Sequence, residues 1–358
     1  RFPDPPSWHE YVEQGPDPKH PNAPQNKIKA EGIRSSFDWG PLDVTDEEMD
    51  DYKVAQWTGE MLQRKYDKPL FLACGIYKPH LPFQVPKKYF ADFPLDKISL
   101  PPIHQRDLED IPQAGREKIN KVYHDEVMKT NNLPKAVAGY LASVRFADAM
   151  VGKVLDALDE SPHADNTVIV LWGDHGWHLG EKQHWHKSTL WEEATRVPLI
   201  IDAPGQPAGI CHRPVSLLDL YPTLRDLCQL KTGQKLDGVS LAPLLRDPAT
   251  KWDRPAVTEF KLGNAAVRSQ RYRYIRYQDG SEELYDHQVD PQEWTNLASD
   301  NKYGQTKREL GNWITKDWAP SAATKQAFRF DPQSFTWTHK KTGRTVSGKQ
   351  TDSYPNPQ

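Results

Sequence analysis

The sequence predicts an α/β fold, in which a mixed or parallel sheet is flanked by helices and a smaller antiparallel-sheet subdomain lies near the C-terminus. Short apolar runs at 68–76 and 167–172 are typical of strands buried on both faces of a parallel sheet, and the apolar run 197–201 predicts a further strand. Helical patterns lie between these runs, which is the order of strands joined by crossover connections. Beyond about residue 255 the sequence alternates apolar and polar residues between turns, as antiparallel hairpins do.

Three helices are predicted. The run from Thr45 to Glu48 has the Thr-x-x-Glu spacing of a capping box, and apolar residues recur at helical spacing up to Leu62. Residues 136–158 carry apolar residues along one face and predict a long amphipathic helix. Residues 217–230 predict a third helix.

The chain is predicted to divide at two points. Residues 1–255 carry the α/β pattern and are assigned to one large domain. Residues 256–318 are assigned to a small subdomain, which contains a hairpin formed by 265–277 and 283–286. Residues 319–358 are rich in Pro, Ser, Thr and Lys, and predict a polar tail.

Composition excludes several classes of protein. The 358 residues contain 46 Lys and Arg against 49 Asp and Glu, a formal net charge of −3. This balance, without a run of five like charges, removes the usual electrostatic case for a nucleic-acid partner, although a local cluster of Lys and His could still bind another polyanion. No stretch approaches the roughly 20 apolar residues that a membrane-spanning helix needs. We therefore expect neither a nucleic-acid partner nor a membrane span.

A polar cluster, Gly173-Asp174-His175-Gly176, directly follows the predicted strand 167–172. In open α/β sheets, ligands bind beyond the carboxyl ends of the strands. Asp174 offers a hard oxygen ligand, and His175 offers a ligand nitrogen or a charged hydrogen-bond donor. The alternative is that this run is only a polar turn.

The next eleven residues, 177–187, contain three His, two Lys and two Trp. Such a density of donors suits an anion: Lys187 could neutralise charge on a sulfuryl or phosphoryl oxygen while a histidine protonates the leaving oxygen. On this interpretation His184 and Trp185 bind substrate. The alternatives are a solvated charged loop or a zinc site, whose ligands would be His178, His184 and His186.

A second cluster, residues 78–83, follows the predicted strand 68–76. Pro79 and Pro82 stiffen this loop, so Lys78 and His80 should be held in fixed directions, as in a binding site. The alternative is that Lys78 and His80 are ordinary solvent-exposed surface residues. Because both clusters follow predicted strands, we expect Lys78 and His80 to contribute to the same site as Asp174 and Lys187.

These segments resemble type I, formylglycine-dependent sulfatases, and most closely the iduronate-2-sulfatase-like branch. The resemblance covers roughly residues 34–298, in order, and its motifs together are highly specific. The matching runs are KPLFLACGIYKPHLPF (68–83), the helix 136–158, VIVLWGDHGWHLGE (168–181), RVPLII (196–201), VSLLDLYPTL (215–224), LDGVSLAPLL (236–245) and LYDHQVDPQE (284–293).

The resemblance implies an alkaline-phosphatase-like fold and hydrolysis of sulfate esters of a sulfated carbohydrate, with Ca²⁺ as cofactor and a formylglycine nucleophile made from Cys or Ser. By match, Asp174 and His175 would bind the metal, although imidazole is softer than the ligands calcium prefers. Lys187 would contact the sulfate and His80 would protonate the leaving oxygen. The resemblance also implies a periplasmic, secreted or lysosomal location.

One departure from the family is large. The motif that carries the nucleophile, Cys/Ser-x-Pro/Ala-x-Arg, is absent from the 358 residues, and so is the family's N-terminal Asp-Asp pair in its expected context. Both precede the matching region, so we expect the nucleophile and the first strand of the sheet in sequence before Arg1 or in a companion chain. The alternatives are a non-catalytic protein that binds sulfated glycans, and a phosphoester hydrolase of the same superfamily with zinc and a Ser or Thr nucleophile.

Overall fold

The computed structural model describes residues 8–13, 15–231, 233, 235–318, 328–331, 334 and 336–347. The chain forms two compact units, Gln14–Asp317 and a smaller one made of Arg1–Glu13 and Trp318–Gln358. All predicted site residues lie in the larger unit. The predicted boundary at residue 255 falls inside the larger unit and stays a prediction.

The helices of the larger unit confirm the three that the sequence predicts. Its described helices are α1 (Asp50–Leu62), α2 (Gln113–Arg116), α3 (Lys121–Lys129), α4 (Leu133–Asp159), α5 (Glu192–Thr195), α6 (Leu220–Leu227), α7 (Ala242–Arg246) and α8 (Gly304–Gly311). The first helix begins later than predicted, at Asp50, although the Thr45 N–H does donate to Glu48 Oε2 at 2.8 Å. Helix α1 packs along α4, where a Cβ on Gly59 would lie 3.1 Å from that of Ala157. A larger residue at 59 would therefore push the two helices apart.

The strands of the larger unit are short. They are β1 (Trp39–Leu42), β2 (Phe83–Pro86), β3 (Ile169–Trp172), β4 (His178–Leu179), β5 (Trp185–His186), β6 (Leu199–Asp202), β7 (Ala256–Glu259), β8 (Ala265–Arg268), β9 (Tyr272–Arg276) and β10 (Glu282–Asp286). Strands β1 and β2 pair in parallel, whereas β3 and β6 pair antiparallel. The pairing is therefore mixed, as predicted. Strand β2 and helix α4 bury Phe83 and Ala136 in one apolar cluster.

Two strand predictions need correction. The run 68–76 forms no strand, and the Phe71 side chain is 72% exposed. No described strand pairs with this run, so it lacks the ladder of backbone hydrogen bonds that defines a strand. Strand β3 does form, but it is not buried on both faces, since Trp172 is 49% exposed. Strand β6 also forms, and its Ile200 is 59% exposed.

The C-terminal hairpin prediction is confirmed. Strands β7 to β10 form an antiparallel sheet in the order β10-β9-β8-β7. Its buried face joins the loop region before α5 through Glu283, whose carboxylate accepts hydrogen bonds from Trp191 Nε1 (2.8 Å) and Tyr277 Oη (2.6 Å). Because Trp191 lies four residues after Lys187, this sheet anchors the end of the segment that carries several predicted site residues.

The predicted polar tail contains regular structure among its described residues. The strands β11 (Phe328–Asp331), β12 (Thr336–His339) and β13 (Thr345–Ser347) form an antiparallel sheet, with the rings of Phe330 and Trp337 4.5 Å apart. Across the described residues of the whole chain, we find no helix with the length and apolar character to cross a lipid bilayer.

Candidate active site

Two loops meet around the ring of Trp177. His80 comes from the loop between α1 and β2, and its ring lies 5.9 Å from that of Trp177. The rings of His186 and His175 lie 5.1 and 6.4 Å from Trp177, and Lys187 Nζ lies 5.6 Å from its centroid. With Asp174, which adjoins His175, these side chains form a group that we call the Trp177 cluster: His80, Asp174, His175, Trp177, His186 and Lys187. The structure thus brings four predicted site residues together.

His80 is held through one side of its ring. Nδ1 lies 2.7 Å from the Tyr77 hydroxyl and 2.9 Å from the Leu81 carbonyl oxygen. In the tautomer that carries hydrogen on Nδ1, this nitrogen donates to the carbonyl and Nε2 is left as the reactive nitrogen. Within the described residues, Nε2 has no hydrogen-bond partner, so it is available to a ligand.

The surroundings of His80 disfavour its positive charge. Burial lowers its pKa most, and the charges of Lys187, His175 and Lys78 lower it further, against the effect of the Leu81 carbonyl. Burial likewise lowers the pKa of Lys187, opposed by the charge of Asp174. A bound anion would reverse both effects, since a negative charge stabilises each cation. A bound anion would therefore favour the protonated forms of His80 and Lys187.

Asp174 and His175 form the part of the cluster that could hold a metal ion. The Asp174 side chain is 75% exposed, and its Oδ2 lies 3.4 Å from His175 Nε2. His175 Nδ1 lies 2.9 Å from the Gly176 carbonyl oxygen, which places the proton on Nδ1 and leaves Nε2 as a ligand atom. A carboxylate oxygen and an imidazole nitrogen therefore face the same space.

The segment 182–188 carries backbone strain. Four of its non-glycine residues have positive φ angles: Lys182 (54°), Gln183 (47°), His186 (88°) and Ser188 (77°). Such conformations are sparsely populated for residues with a Cβ, and they concentrate at functional sites that the surrounding structure holds in place. The strain lies in the segment that presents Lys187 to the cluster.

Two residues predicted to bind substrate are instead part of the interior. Trp185 is fully buried, stacked with Trp39 at 6.2 Å. His184 is 1% exposed; its Nδ1 accepts the Asn120 N–H at 2.9 Å and its Nε2 donates to the Lys187 carbonyl oxygen at 3.2 Å. His184 has both ring nitrogens occupied and Trp185 has no exposed surface, so these side chains support the loop rather than meet a ligand. Burial lowers the pKa of His184 to about 4.

Lys78 also departs from its predicted role. Its ammonium is enclosed, donating to the Pro82 carbonyl oxygen at 2.9 Å and pairing with Asp17 at 3.1 Å. The side chain therefore ties the ends of its own loop together instead of reaching a substrate.

The structure does not support the zinc alternative. His184 has no free nitrogen, and His178 Nε2 lies 2.8 Å from Thr189 Oγ1. In the described part of the chain, the group of acidic and histidine side chains close enough to share an ion lies elsewhere, at Glu192, His287 and Glu293.

That second group is already neutralised. Arg273 pairs with both Glu192 and Glu293, and His287 Nε2 lies 2.8 Å from Glu293 Oε1. Arg268 adds a further contact to Glu192 at 3.2 Å. A cation placed there would meet two guanidinium groups, so we assign this group to an ion-pair network.

Sequence reasoning missed two members of the site and one supporting residue. The sequence predicts Trp177 only as part of a dense run and His186 only as a ligand of the alternative zinc site, and it assigns no role to Tyr77. The signal for Trp177 is its position between two polar clusters at the carboxyl end of β3. For Tyr77 no signal in the sequence separates it from other loop aromatics, because its role depends on the fold of the loop.

Comparison with known proteins finds two family models that match the chain. The family model described as "Sulfatase" matches residues 8–230, and "N-sulphoglucosamine sulphohydrolase, C-terminal" matches residues 180–318. A sulfatase of Formosa agariphila is 40% identical over 275 residues, covering 75% of this chain and 54% of that protein. The iduronate 2-sulfatase of Homo sapiens is 31% identical over 218 residues, covering 57% and 40%. The chain thus spans about half the length of the curated relatives it matches.

A solved structure supports the fold. The phosphonate monoester hydrolase SpPMH from Silicibacter pomeroyi matches with a TM-score of 0.66 at 24% identity, covering 76% of this chain and 60% of that one. The predicted alkaline-phosphatase-like α/β fold is confirmed. The fold alone does not separate sulfate from phosphonate or phosphate esters.

Proposed function

We propose that this chain, which belongs to the sulfatase family, forms part of an enzyme that hydrolyses sulfate esters of a sulfated carbohydrate. The observation that carries the proposal is the Trp177 cluster, where His80 and Lys187 come from separate loops to one partly exposed group beside Asp174. The carbohydrate class rests on the relative that acts on iduronate 2-sulfate, as its name states.

In this mechanism Lys187 binds and neutralises a sulfate oxygen. Partial burial makes its charge more effective than it would be in water, and the strained backbone around it sets the direction in which the side chain leaves the loop. Trp177 supplies an apolar floor under the ammonium and limits its solvation.

His80 donates a proton from Nε2 to the departing sugar oxygen. A sugar alkoxide is a poor leaving group, so protonation lowers the barrier most for such substrates. In the ligand-free protein the pKa of His80 is lowered, chiefly by burial. The bound sulfate ester supplies the negative charge that raises this pKa and keeps the imidazolium present for the transfer.

We assign Asp174 and His175 to a divalent metal and propose Ca²⁺. The exposed Asp174 carboxylate fits a hard cation, and His175 Nε2 adjoins it. These two donors fall short of the six to eight that calcium takes, so the proposal requires further oxygen ligands from elsewhere in the protein, substrate or water. When bound, the ion would polarise the sulfate and stabilise developing negative charge.

We further propose that the nucleophile comes from sequence outside these 358 residues, or from a companion chain. The Cys/Ser-x-Pro/Ala-x-Arg motif is absent here, and the relatives are about twice as long as the part matched. The exposed apolar side chains of Trp172 in β3, Ile200 in β6 and Phe71 in the run 68–76 support this, since further parts of the fold would cover them. By family resemblance we place the enzyme in the periplasm, outside the cell or in the lysosome.

The test is sulfate release by the protein expressed with its full coding sequence. We expect hydrolysis of p-nitrophenyl sulfate and of sulfated oligosaccharides, and little hydrolysis of p-nitrophenyl phosphate. The His80→Ala variant should lose about 10²-fold or more in kcat/KM on sugar sulfates and much less on p-nitrophenyl sulfate, whose leaving group needs no proton. The exposed His212→Ala variant is the control.

Three outcomes would contradict the proposal. Faster release of phosphate than sulfate would favour the phosphoester hydrolase. Binding of sulfated oligosaccharide without turnover, and without dependence on calcium, would favour the glycan-binding protein. Equal losses on both sulfate substrates would show that His80 binds the ester rather than protonates it.

A further inference from the structure

We propose that Asp51 is a positioning residue that sets the orientation of His80. The inference rests on the proposed function, because it gives the orientation of His80 a consequence in turnover. The two residues are far apart in sequence, and no motif in the chain connects them.

Asp51 holds the backbone immediately before His80. It lies in the first turn of α1, is 1% exposed, and uses both carboxylate oxygens on consecutive amides. Oδ1 accepts the Tyr77 N–H at 2.7 Å and Oδ2 accepts the Lys78 N–H at 2.9 Å. Two charge-assisted bonds to adjacent amides fix the orientation of the peptide plane between them as well as its position.

The fixed backbone determines where the His80 ring lies. The His80 N–H donates to the Tyr77 carbonyl oxygen at 3.0 Å, which closes a turn over the held peptide. The Tyr77 hydroxyl then lies 2.7 Å from His80 Nδ1, with the two rings 4.7 Å apart. Tyr77 therefore contacts His80 through both backbone and side chain, and Asp51 fixes the amide of Tyr77.

The cost of burying Asp51 supports a role beyond packing. Burial raises its pKa to about 6, although the two amide bonds and Lys78 oppose that shift. An ionised carboxylate at neutral pH in this interior position is therefore maintained against its desolvation penalty. Groups kept at such a cost are commonly those that function requires.

The first experiment compares Asp51→Asn with Asp50→Asn in the protein with its full coding sequence. Asp50 is a matched control, because it lies in the same turn and is also buried, but its carboxylate makes no described bond to residues 77–82. The histidines are labelled with ¹³C at Cε1 for NMR, and the His80 resonance is assigned from a His80→Gln variant. We expect Asp51→Asn to shift this His80 NMR signal at fixed pH. Asp50→Asn should leave it in place.

The second measurement is the dependence of kcat/KM on the leaving group across a series of aryl sulfates. Asp51→Asn should lower the rate on the poorest leaving group about tenfold and on p-nitrophenyl sulfate less than about threefold, a fraction of what general acid catalysis contributes. Tyr77→Phe, which leaves α1 untouched, should shift the rates in the same direction by a smaller factor.

An unmoved His80 signal in Asp51→Asn, or equal shifts in both aspartate variants, would overturn the inference. Equal rate losses across the leaving-group series would overturn it as well. A wild-type protein that hydrolyses no sulfate ester would refute the proposed function instead, while the His80 signal would still decide whether Asp51 positions this ring.

Discussion

Two regions of the larger unit concentrate titratable side chains, and they differ in whether those side chains have partners. In the Trp177 cluster, Asp174 is largely exposed and His80 Nε2 has no hydrogen-bond partner among the described residues. Beneath the C-terminal sheet lies a second group, which we call the buried ion network: Lys182, Glu192, Arg273, Glu283, His287 and Glu293. Each of its members is bonded within the protein.

The difference teaches that density of charge alone does not mark a site. The run 177–187 contributes to both regions: Lys187 belongs to the Trp177 cluster, while Lys182 donates to Asp107 Oδ1 at 2.7 Å and is 2% exposed. Paired groups in the interior hold elements together, whereas groups left partly unpaired and exposed can exchange water for a ligand. Function is expected where the pairing is incomplete.

The largest effect is expected from Asp174→Ala, which removes the exposed carboxylate of the Trp177 cluster. In the protein with its full coding sequence, we expect sulfatase activity to fall about 10³-fold or more, the scale of several kcal/mol for lost charge stabilisation. The rise in Tm on adding calcium should disappear as well, because the ion stabilises only the state that binds it. Asp156→Ala, on the exposed side of α4, is the control; unchanged melting of Asp174→Ala in calcium would remove Asp174 from the metal site.

Arg273→Met should lower the free energy of unfolding. It leaves Glu192 and Glu293 without their shared partner in the interior, which costs about 3–5 kcal/mol for a buried pair broken on one side. The measurement is the midpoint of chemical unfolding, with Arg276→Met on the same strand as the control, expected within about 0.5 kcal/mol of wild type. A loss of less than about 1 kcal/mol in Arg273→Met would show that the network is not a stabilising one.

The smallest effect is a pH dependence that arises from His184. Its folded-state pKa of about 4 lies below the unfolded value, so the folded protein binds fewer protons and its stability falls as the pH drops from about 6.5 to 4. Relative to His184→Gln, wild type should lose up to about 3 kcal/mol across that window and keep the full contribution above it. A difference in unfolding free energy that stays constant from pH 7 to 4 would contradict the buried neutral imidazole.

The sequence predicts correctly those elements that depend on local residue patterns. Helix α4 and the C-terminal hairpin follow from periodicity. The resemblance of two polar clusters to one family predicts that His80, Asp174, His175 and Lys187 share a site. The structure brings these side chains together around Trp177, and their roles stay a prediction. The strand prediction for the run 68–76 is wrong because apolar composition indicates only that a segment needs burial. It does not identify the strands that would pair with that segment. The prediction for His184 and Trp185 fails for a related reason. They lie three and two residues before Lys187, yet their side chains face the interior, because positive φ angles turn the chain in this loop and leave no pattern in the sequence.

The most direct test compares Lys187→Gln with Lys182→Gln, two substitutions of the same kind five residues apart. Lys187→Gln should lower kcat/KM for sulfate esters about 10²-fold or more and leave the Tm near that of wild type. Lys182→Gln should cost about 3–5 kcal/mol of stability while activity per folded molecule stays within about threefold of wild type. Full activity in Lys187→Gln, or equal activity losses per folded molecule in both variants, would contradict the assignment of the active site to the Trp177 cluster.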